Sequence, residues 1–204
     1  MKTEIISADH PVAYLHALDV LRNGGVLAFP TDTVYGLATL PFEEMTVERL
    51  YVVKGRNSTK AIAVLIGDMA DLDLIVREMP PMAVHLANRF WPGPLTLVLL
   101  GANSLPKNLS PNNTIGVRMP NHPVALKLLK QAGPLAVTSA NISGQENTNT
   151  AQEVLGQLRD RIHLILDGGT TPGGIPSTVA DCTGSEPVIL REGPISLDDI
   201  KAAL

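Results

Sequence analysis

Glu44-Met45-Thr46-Val47-Glu48-Arg49-Leu50-Tyr51-Val52-Val53-Lys54-Gly55-Arg56-Asn57-Ser58-Thr59-Lys60-Ala61-Ile62-Ala63-Val64-Leu65-Ile66 changes its hydrophobic period part-way along. Val47, Leu50 and Tyr51 recur at helical spacing from Glu44 to Val53, whereas Ala61 to Ile66 is an apolar run of strand length. A helix thus hands over to a buried strand. The junction, Lys54 to Lys60, holds three cations within seven residues. Gly55 lets the backbone approach a ligand, Arg56 offers a planar fork for phosphate or carboxylate, and Lys54 acts as a point charge. Taken alone, the junction reads more simply as a solvated surface loop.

Toward the N-terminus, Thr3 to Ser7 is read as a strand. Pro11 to Asn23 is read as an amphipathic helix with Val12, Leu15, Leu18 and Leu21 on one side, stopped at Gly24-Gly25. Val26 to Phe29 is a buried strand leading into Pro30-Thr31-Asp32-Thr33-Val34-Tyr35-Gly36-Leu37. Hydroxyls and a carboxylate directly after a buried strand line clefts in many α/β proteins, and a turn held by its own Thr and Asp side chains is the alternative.

Toward the C-terminus, Asp68 to Glu78 and Pro81 to Phe90 are predicted helices separated by Pro80-Pro81, and Trp91-Pro92-Gly93-Pro94 is a structural turn into the strand Leu95 to Leu100. Gly101 to Asn113 is the candidate mobile loop of the first half. Thr114 to Met119 is a strand carrying Arg118 between apolar neighbours, where an arginine is either solvent-directed, paired, or an anion ligand in a cleft. The helix Val124 to Gln131 and the strand Leu135 to Thr138 lead to Ser139-Ala140-Asn141. Ser143 to Asn149 is a polar loop closed by the capping box Thr150-Ala151-Gln152-Glu153, whose helix runs to Arg159. Ile162 to Leu166 is a strand, and the glycine-rich 167–174 lacks the lysine signature of a phosphate loop and reads as a flexible linker. Ser177 to Asp181 and Pro187 to Leu190 close the series of strands, and Ser196 with Asp199 caps a final helix. The predicted fold is α/β: one domain, 1–204, with a twisted mixed sheet flanked by helices around a cationic cleft.

Composition narrows the function. Of 204 residues, 45% are hydrophobic, which supports a sizeable core, and only 3% are aromatic, which disfavours single-strand nucleic-acid binding by base stacking. The net charge of -4 rules out a global positive field, so any anion site is local. One cysteine, Cys182, precludes an internal disulfide or a cysteine-rich zinc site and fits a reducing compartment. No apolar run has membrane-spanning length, and the start of the chain carries no signal-peptide pattern, so the expectation is a cytoplasmic protein without membrane contact. The five histidines lie apart, and neither a metal site nor a histidine base is predicted.

Thr31 and Thr33, Lys54 and Arg56, Arg118, Ser139 and Asn141, Ser177, and Arg191 nearly all fall at strand ends or in the loops after them. Together they indicate a cationic cleft in an acidic protein, suited to a highly charged ligand such as a triphosphate. Reaction types that need no covalent enzyme nucleophile stay open, and nucleotidyl transfer, which relies on positioning and on cations facing developing charge, is one of them.

With Lys54-Gly55-Arg56, Ser139-Ala140-Asn141, Pro30 to Leu37, Trp91-Pro92-Gly93-Pro94-Leu95-Thr96, Val117-Arg118-Met119-Pro120, Pro176-Ser177-Thr178-Val179 and Leu190-Arg191-Glu192-Gly193-Pro194 in this order, the chain resembles the YrdC-like family. Its members include the bacterial threonylcarbamoyl-AMP synthases of tRNA modification, and the chain looks like the short form without an extra C-terminal domain. The resemblance implies a nucleotidyltransferase making L-threonylcarbamoyladenylate and pyrophosphate from L-threonine, bicarbonate or CO2, and ATP. The product passes to a tRNA threonylcarbamoyl transferase complex acting on adenosine 37 of tRNAs reading ANN codons. It further implies that Thr31, Arg118 and Ser177 hold threonine and that Lys54, Arg56, Thr114, Ser139, Asn141, Thr148 and Arg191 hold ATP. By the same resemblance Lys54 and Arg56 would be the catalytic cations, and Mg2+ would bridge the phosphates of ATP. Loop 143–149 is the implied lid. Asn57 departs from the family's proline and bears on the stiffness of its loop.

Two other readings stay beside this one. Carbamoyl-adenylate chemistry of the hydrogenase-maturation type belongs to larger relatives with zinc-finger-like cysteines, which a single cysteine disfavours. Weak double-stranded RNA binding requires a wide basic face, which a charge of -4 disfavours.

Overall fold

A computed structural model of the chain describes residues 2–109 and 112–204. The chain order is β1 (Glu4–Ser7), α1 (Ala13–Arg22), β2 (Leu27–Phe29), β3 (Gly36–Thr39), α2 (Glu44–Lys54), β4 (Ala63–Leu65), α3 (Leu72–Ile75), α4 (Pro81–Phe90) and β5 (Leu95–Leu100). It continues with β6 (Thr114–Arg118), α5 (Pro123–Ala132), β7 (Leu135–Ser139), α6 (Ala151–Leu158), β8 (Leu164–Asp167), β9 (Thr178–Asp181), β10 (Val188–Arg191) and α7 (Leu197–Ala202). All ten strands join one mixed sheet in the order β1-β8-β2-β3-β7-β4-β6-β5-β9-β10. The predicted mixed sheet with flanking helices is the architecture found.

Side-chain alternation divides the core between the two faces of this sheet. Leu27, Phe29, Ala38, Leu135, Val137, Leu164 and Leu166 point one way and pack with Ala13, Ala17 and Leu21 of α1 and Ala125, Leu128 and Leu129 of α5. Ala28, Leu37, Val64, Ala136, Ile165, Leu95, Leu97 and Leu99 point the other way, toward α2, α4 and α6. Burying each of the leucine, valine, isoleucine and phenylalanine side chains stabilises by about 1.5–3 kcal/mol before entropy is counted, and the alanines contribute less. Cys182 is a small hydrophobe of this second layer; burial, helped by the charge of Asp181, pushes its thiol up to about 11.

Four local expectations are corrected. The buried side of α1 is Ala13, Tyr14, Ala17, Leu18 and Leu21, while Val12 and Leu15 face solvent, because two alanines let the helix lie close to its neighbours. Strand β3, read as part of a loop, pairs antiparallel with β2 and β7. The predicted helix from Asp68 to Glu78 is a capped 3-10 turn, Met69–Asp71, and the single turn α3, stopped where the extended Val76 bridges Gly101. The linker 167–174 is tied down, since Gly169 O accepts from Tyr35 Oη at 2.7 Å, Thr171 N donates to Asn149 O, and Gly174 N donates to Thr33 O.

The helix-start box at Ser196 is complete, and the one predicted at Thr150 is only half formed. Ser196 and Asp199 exchange bonds reciprocally, and Thr150 Oγ1 accepts from Glu153 N while the Glu153 carboxylate reaches one residue further back, to Asn149 N. Of the loop 101–113, residues 110 and 111 lie outside the described residues.

Candidate active site

Helices α1 and α5 cover only part of their face of the sheet. Over the rest, the residues that a helix would bury are mostly small or polar, Ala63 on β4, Thr96 on β5, Thr114, Gly116 and Arg118 on β6, and Ser139 on β7, while Leu65, Val98 and Val137 at alternate positions of β4, β5 and β7 add apolar floor, Leu65 and Val137 being shared with the covered core. Each set is spaced by two, so the floor is a sheet face. Above it lies a cavity of about 470 Å³. As the sequence indicated, the polar groups sit at strand ends or in the loops beside them, Arg118, Ser139 and Arg191 being the last residues of β6, β7 and β10.

Three guanidiniums line this cavity. Arg118 is buried and held on three sides: Nε donates to Gly93 O at 3.0 Å, Nη1 to Thr33 Oγ1 at 3.0 Å, and Nη2 to Asp32 Oδ1. The proline-rich turn read as structural is thus also the carbonyl seat of Arg118. Any Cβ on Gly93 would sit 2.3 Å from Phe90 O, so the tight turn requires glycine there. Thr33 is fixed in turn by Thr31, whose hydroxyl donates to Val34 O at 2.7 Å and lies 3.0 Å from Thr33 Oγ1.

Arg191 enters from β10. A register shift between Ile189 and Arg191 breaks the strand's alternation, so adjacent Leu190 and Arg191 both reach the cavity. Its Nε and Nη2 donate to Ser177 O at 3.0 and 2.8 Å, and Nη2 also reaches Ser177 Oγ at 3.1 Å. Ser177 is buried and shares a 2.8 Å hydroxyl bond with Thr96. Arg56 follows the left-handed Gly55 that ends α2, and its Nη2 donates to Ala61 O at 2.9 Å. The role of Gly55 is therefore helix termination at a positive φ of 59°, rather than close approach to a ligand.

Burial lowers the affinity of all three guanidiniums for their protons; Arg56's charge adds to this at Arg191, and Arg191's charge adds to it at Arg118, where Asp32 opposes it. Guanidiniums nevertheless remain charged. The cavity wall thus concentrates like charges that feel one another, an arrangement that favours an anion.

Lys54 stands apart from them. It is fully buried and absent from the cavity wall, with Nζ donating to Ser139 O, to Asn141 O at 2.6 Å and to Asn141 Oδ1 at 3.2 Å. Three acceptors match the three N–H groups of an ammonium, yet burial and then the Arg56 charge push its pKa down to about 7. Lys54 thereby fixes the end of β7 from behind, in place of the open cation that the sequence suggested.

Thr31, Thr114, Ser139 and Ser177 also line the cavity, whereas Asn141 and Thr148 do not. Asn141 Nδ2 binds Gln145 O at 2.8 Å, and Thr148 is wholly buried, its hydroxyl on Ala140 O at 3.0 Å and its carbonyl on Tyr35 N at 2.9 Å. Segment 143–149 is thus bonded to residues flanking β3 and β7 and forms part of the cavity wall, where Asn147 faces the cavity. The sequence named Asp32 only as a carboxylate of the cleft or turn and Gly93 only as part of a structural turn, and it gave Asn147 no role. The carboxylate within Pro30 to Leu37 was the one available signal for any of them.

The Sua5_yciO_yrdC family model, described as Telomere recombination, matches residues 19–193. A threonylcarbamoyl-AMP synthase of Vibrio cholerae is 35% identical over 181 residues, 87% of this chain and 95% of that protein. The chain belongs to this family. It is also 40% identical over 190 residues to a threonylcarbamoyl-AMP synthase of Pyrococcus abyssi, where the match covers 92% of this chain and 56% of the relative. The chain therefore spans just over half of that longer relative. A crystal structure of P. abyssi Sua5 complexed with L-threonine superposes with a TM-score of 0.93 at 36% identity, covering 100% of this chain and 61% of the other. Among the described residues no helix is long and apolar enough to cross a membrane.

Proposed function

We propose that this chain joins L-threonine, CO2 or bicarbonate, and ATP into L-threonylcarbamoyladenylate with release of pyrophosphate, for transfer to tRNA by a partner transferase. The observation that carries this reading is the convergence of Arg56, Arg118 and Arg191 on one cavity. Family membership and the threonine bound by the P. abyssi relative support the choice of substrate.

In this reading Arg118 receives the threonine carboxylate, with Thr31 and Ser177 beside it. Arg56, Arg191, Thr114 and Ser139 surround the triphosphate. Lys54, Asn141 and Thr148 act from behind the wall, by holding β7 and its following loop. Threonine's ammonium gives up two protons, to solvent or bicarbonate, as its nitrogen bonds to the carbon of CO2 and forms a carbamate; a carbamate oxygen then attacks the α-phosphorus as the bond from that phosphorus to the bridging oxygen breaks and pyrophosphate leaves. Negative charge moves toward the departing pyrophosphate, where Arg56 and Arg191 oppose it.

Among the described residues no three His, Cys, Asp or Glu side chains gather where they could hold a metal, and Asp32 already pairs with Arg118. Mg2+ fits this donor set only as part of MgATP, a substrate with its own phosphate oxygens as ligands.

The test is pyrophosphate release with threonine, serine or carbamoyl phosphate, each with and without bicarbonate. Release should require threonine and bicarbonate together. Release driven by carbamoyl phosphate alone would point to the hydrogenase-maturation chemistry instead. Arg56→Ala should lower kcat/KM by about tenfold to a hundredfold, the worth of one charge-assisted contact.

A further inference from the structure

The three guanidiniums are not equivalent. Arg118 is the one that meets a carboxylate: among the described residues the ion pairs are Arg118 with Asp32 and His16 with Glu4. Among the described residues Arg56 donates only to the carbonyls of Lys60 and Ala61, and Arg191 only to Ser177. The remaining carboxylate oxygen, Asp32 Oδ2, is buried without a hydrogen-bond partner. The negative charge of Asp32 is therefore committed to Arg118. The cavity thus has one end at Arg118, where the guanidinium is matched by a carboxylate, and two guanidiniums, Arg56 and Arg191, that no carboxylate matches among the described residues, with Arg191 near enough to Arg118 for its charge to be felt there.

We infer that Asp32 is a positioning and specificity residue: by neutralising and orienting Arg118 it reserves that end of the cavity for a zwitterionic amino acid and confines polyanions to Arg56 and Arg191. This deepens the functional reading above and rests on it. A zwitterion carries no net charge, so its binding to an ion pair gains little from long-range attraction and is little screened by salt. A polyphosphate at two uncompensated cations behaves oppositely. The three bonds around Arg118 leave it N–H groups for one small carboxylate, and without Asp32 it would become a third free cation on the same wall. Burial lowers the His122 pKa while Asp32 opposes it, so His122 is the titratable neighbour that also feels this carboxylate.

Calorimetric titration with L-threonine and with inorganic pyrophosphate, over a salt series, tests the inference. For the wild type, threonine affinity should stay nearly flat with salt, pyrophosphate affinity should fall steeply, and both should bind together. In Asp32→Asn, pyrophosphate should bind about tenfold more tightly and displace threonine, because a third cation becomes available. Asp32→Glu keeps the charge but moves it, so pyrophosphate should bind as in the wild type while threonine weakens. If Asp32→Asn does not fold, the wild-type salt series and Asp32→Glu still decide. Equal salt sensitivity of the two ligands in the wild type, or an Asp32→Asn protein in which both still bind together at unchanged affinity, overturns the inference. A wild type that binds neither ligand overturns the functional reading itself.

Discussion

The covered and uncovered halves of one sheet face are built on the same pleat but to different ends. Under α1 and α5 the inward positions are Leu27, Phe29, Leu164 and Leu166, and helices seal them. Beyond those helices the equivalent positions are Ala63, Thr96, Thr114 and Gly116, and the face is left as the floor of a cavity. Side-chain volume at alternate residues decides which half becomes core and which becomes cavity. Charge then follows volume, since the space left over small residues is where Arg118 and Arg191 have room to converge.

The sharpest way to break this contrast is Leu128→Ala beneath the covered half. Loss of a fully buried leucine should cost about 2–5 kcal/mol in chemical denaturation, with turnover per folded molecule unchanged. The reciprocal change, Gly116→Leu, puts core-sized volume on the cavity floor, where even a Cβ would lie 3.1 Å from Thr96 Cγ2. Threonine-dependent pyrophosphate release should drop by about a hundredfold, about 2.7 kcal/mol, while the melting temperature moves far less than in Leu128→Ala.

Lys54 tests the boundary between the halves through pH. Its folded pKa of about 7 lies below the ordinary 10.5, so between these values the unfolded chain holds the extra proton and this group's contribution to stability grows as pH rises. Below about 7 the ammonium is charged in both states and its burial cost is felt in full. Urea melts of wild type and Lys54→Met from pH 6 to 9 should show this rise in the wild type and its loss in the variant. The smallest effect belongs to Leu15→Glu on the exposed side of α1, which should shift stability by less than about 0.5 kcal/mol. A large loss there would restore the stripe that the sequence suggested.

Periodicity alone located most of the long elements, because Val47, Leu50 and Tyr51, or the run Leu95 to Leu100, bury what their spacing predicts. It misjudged α1 because alanines, weak in hydrophobicity, are what close packing requires there. It missed β3 because Gly36 opens that strand: a Cβ there would meet Val137 Cγ1 at 2.8 Å, a closeness visible only once the strands are paired. Family motifs drew attention to Arg56, Arg118 and Arg191 across long separations, but not to how they are held. That Lys54 faces carbonyls, and that Gly93 O and Asp32 share the guanidinium of Arg118, depends on contacts between residues far apart in the chain. Thr148 shows the same limit, since its spacing cannot reveal that its hydroxyl turns inward to Ala140.

The sealed thiol of Cys182 has a practical consequence. Fully buried and with its pKa raised, it should ignore maleimide and iodoacetamide in the folded protein. Asn147→Cys would then carry the sole reactive sulfur, on the wall of the cavity, and a fluorophore attached to it would report ligand arrival without any background label to subtract.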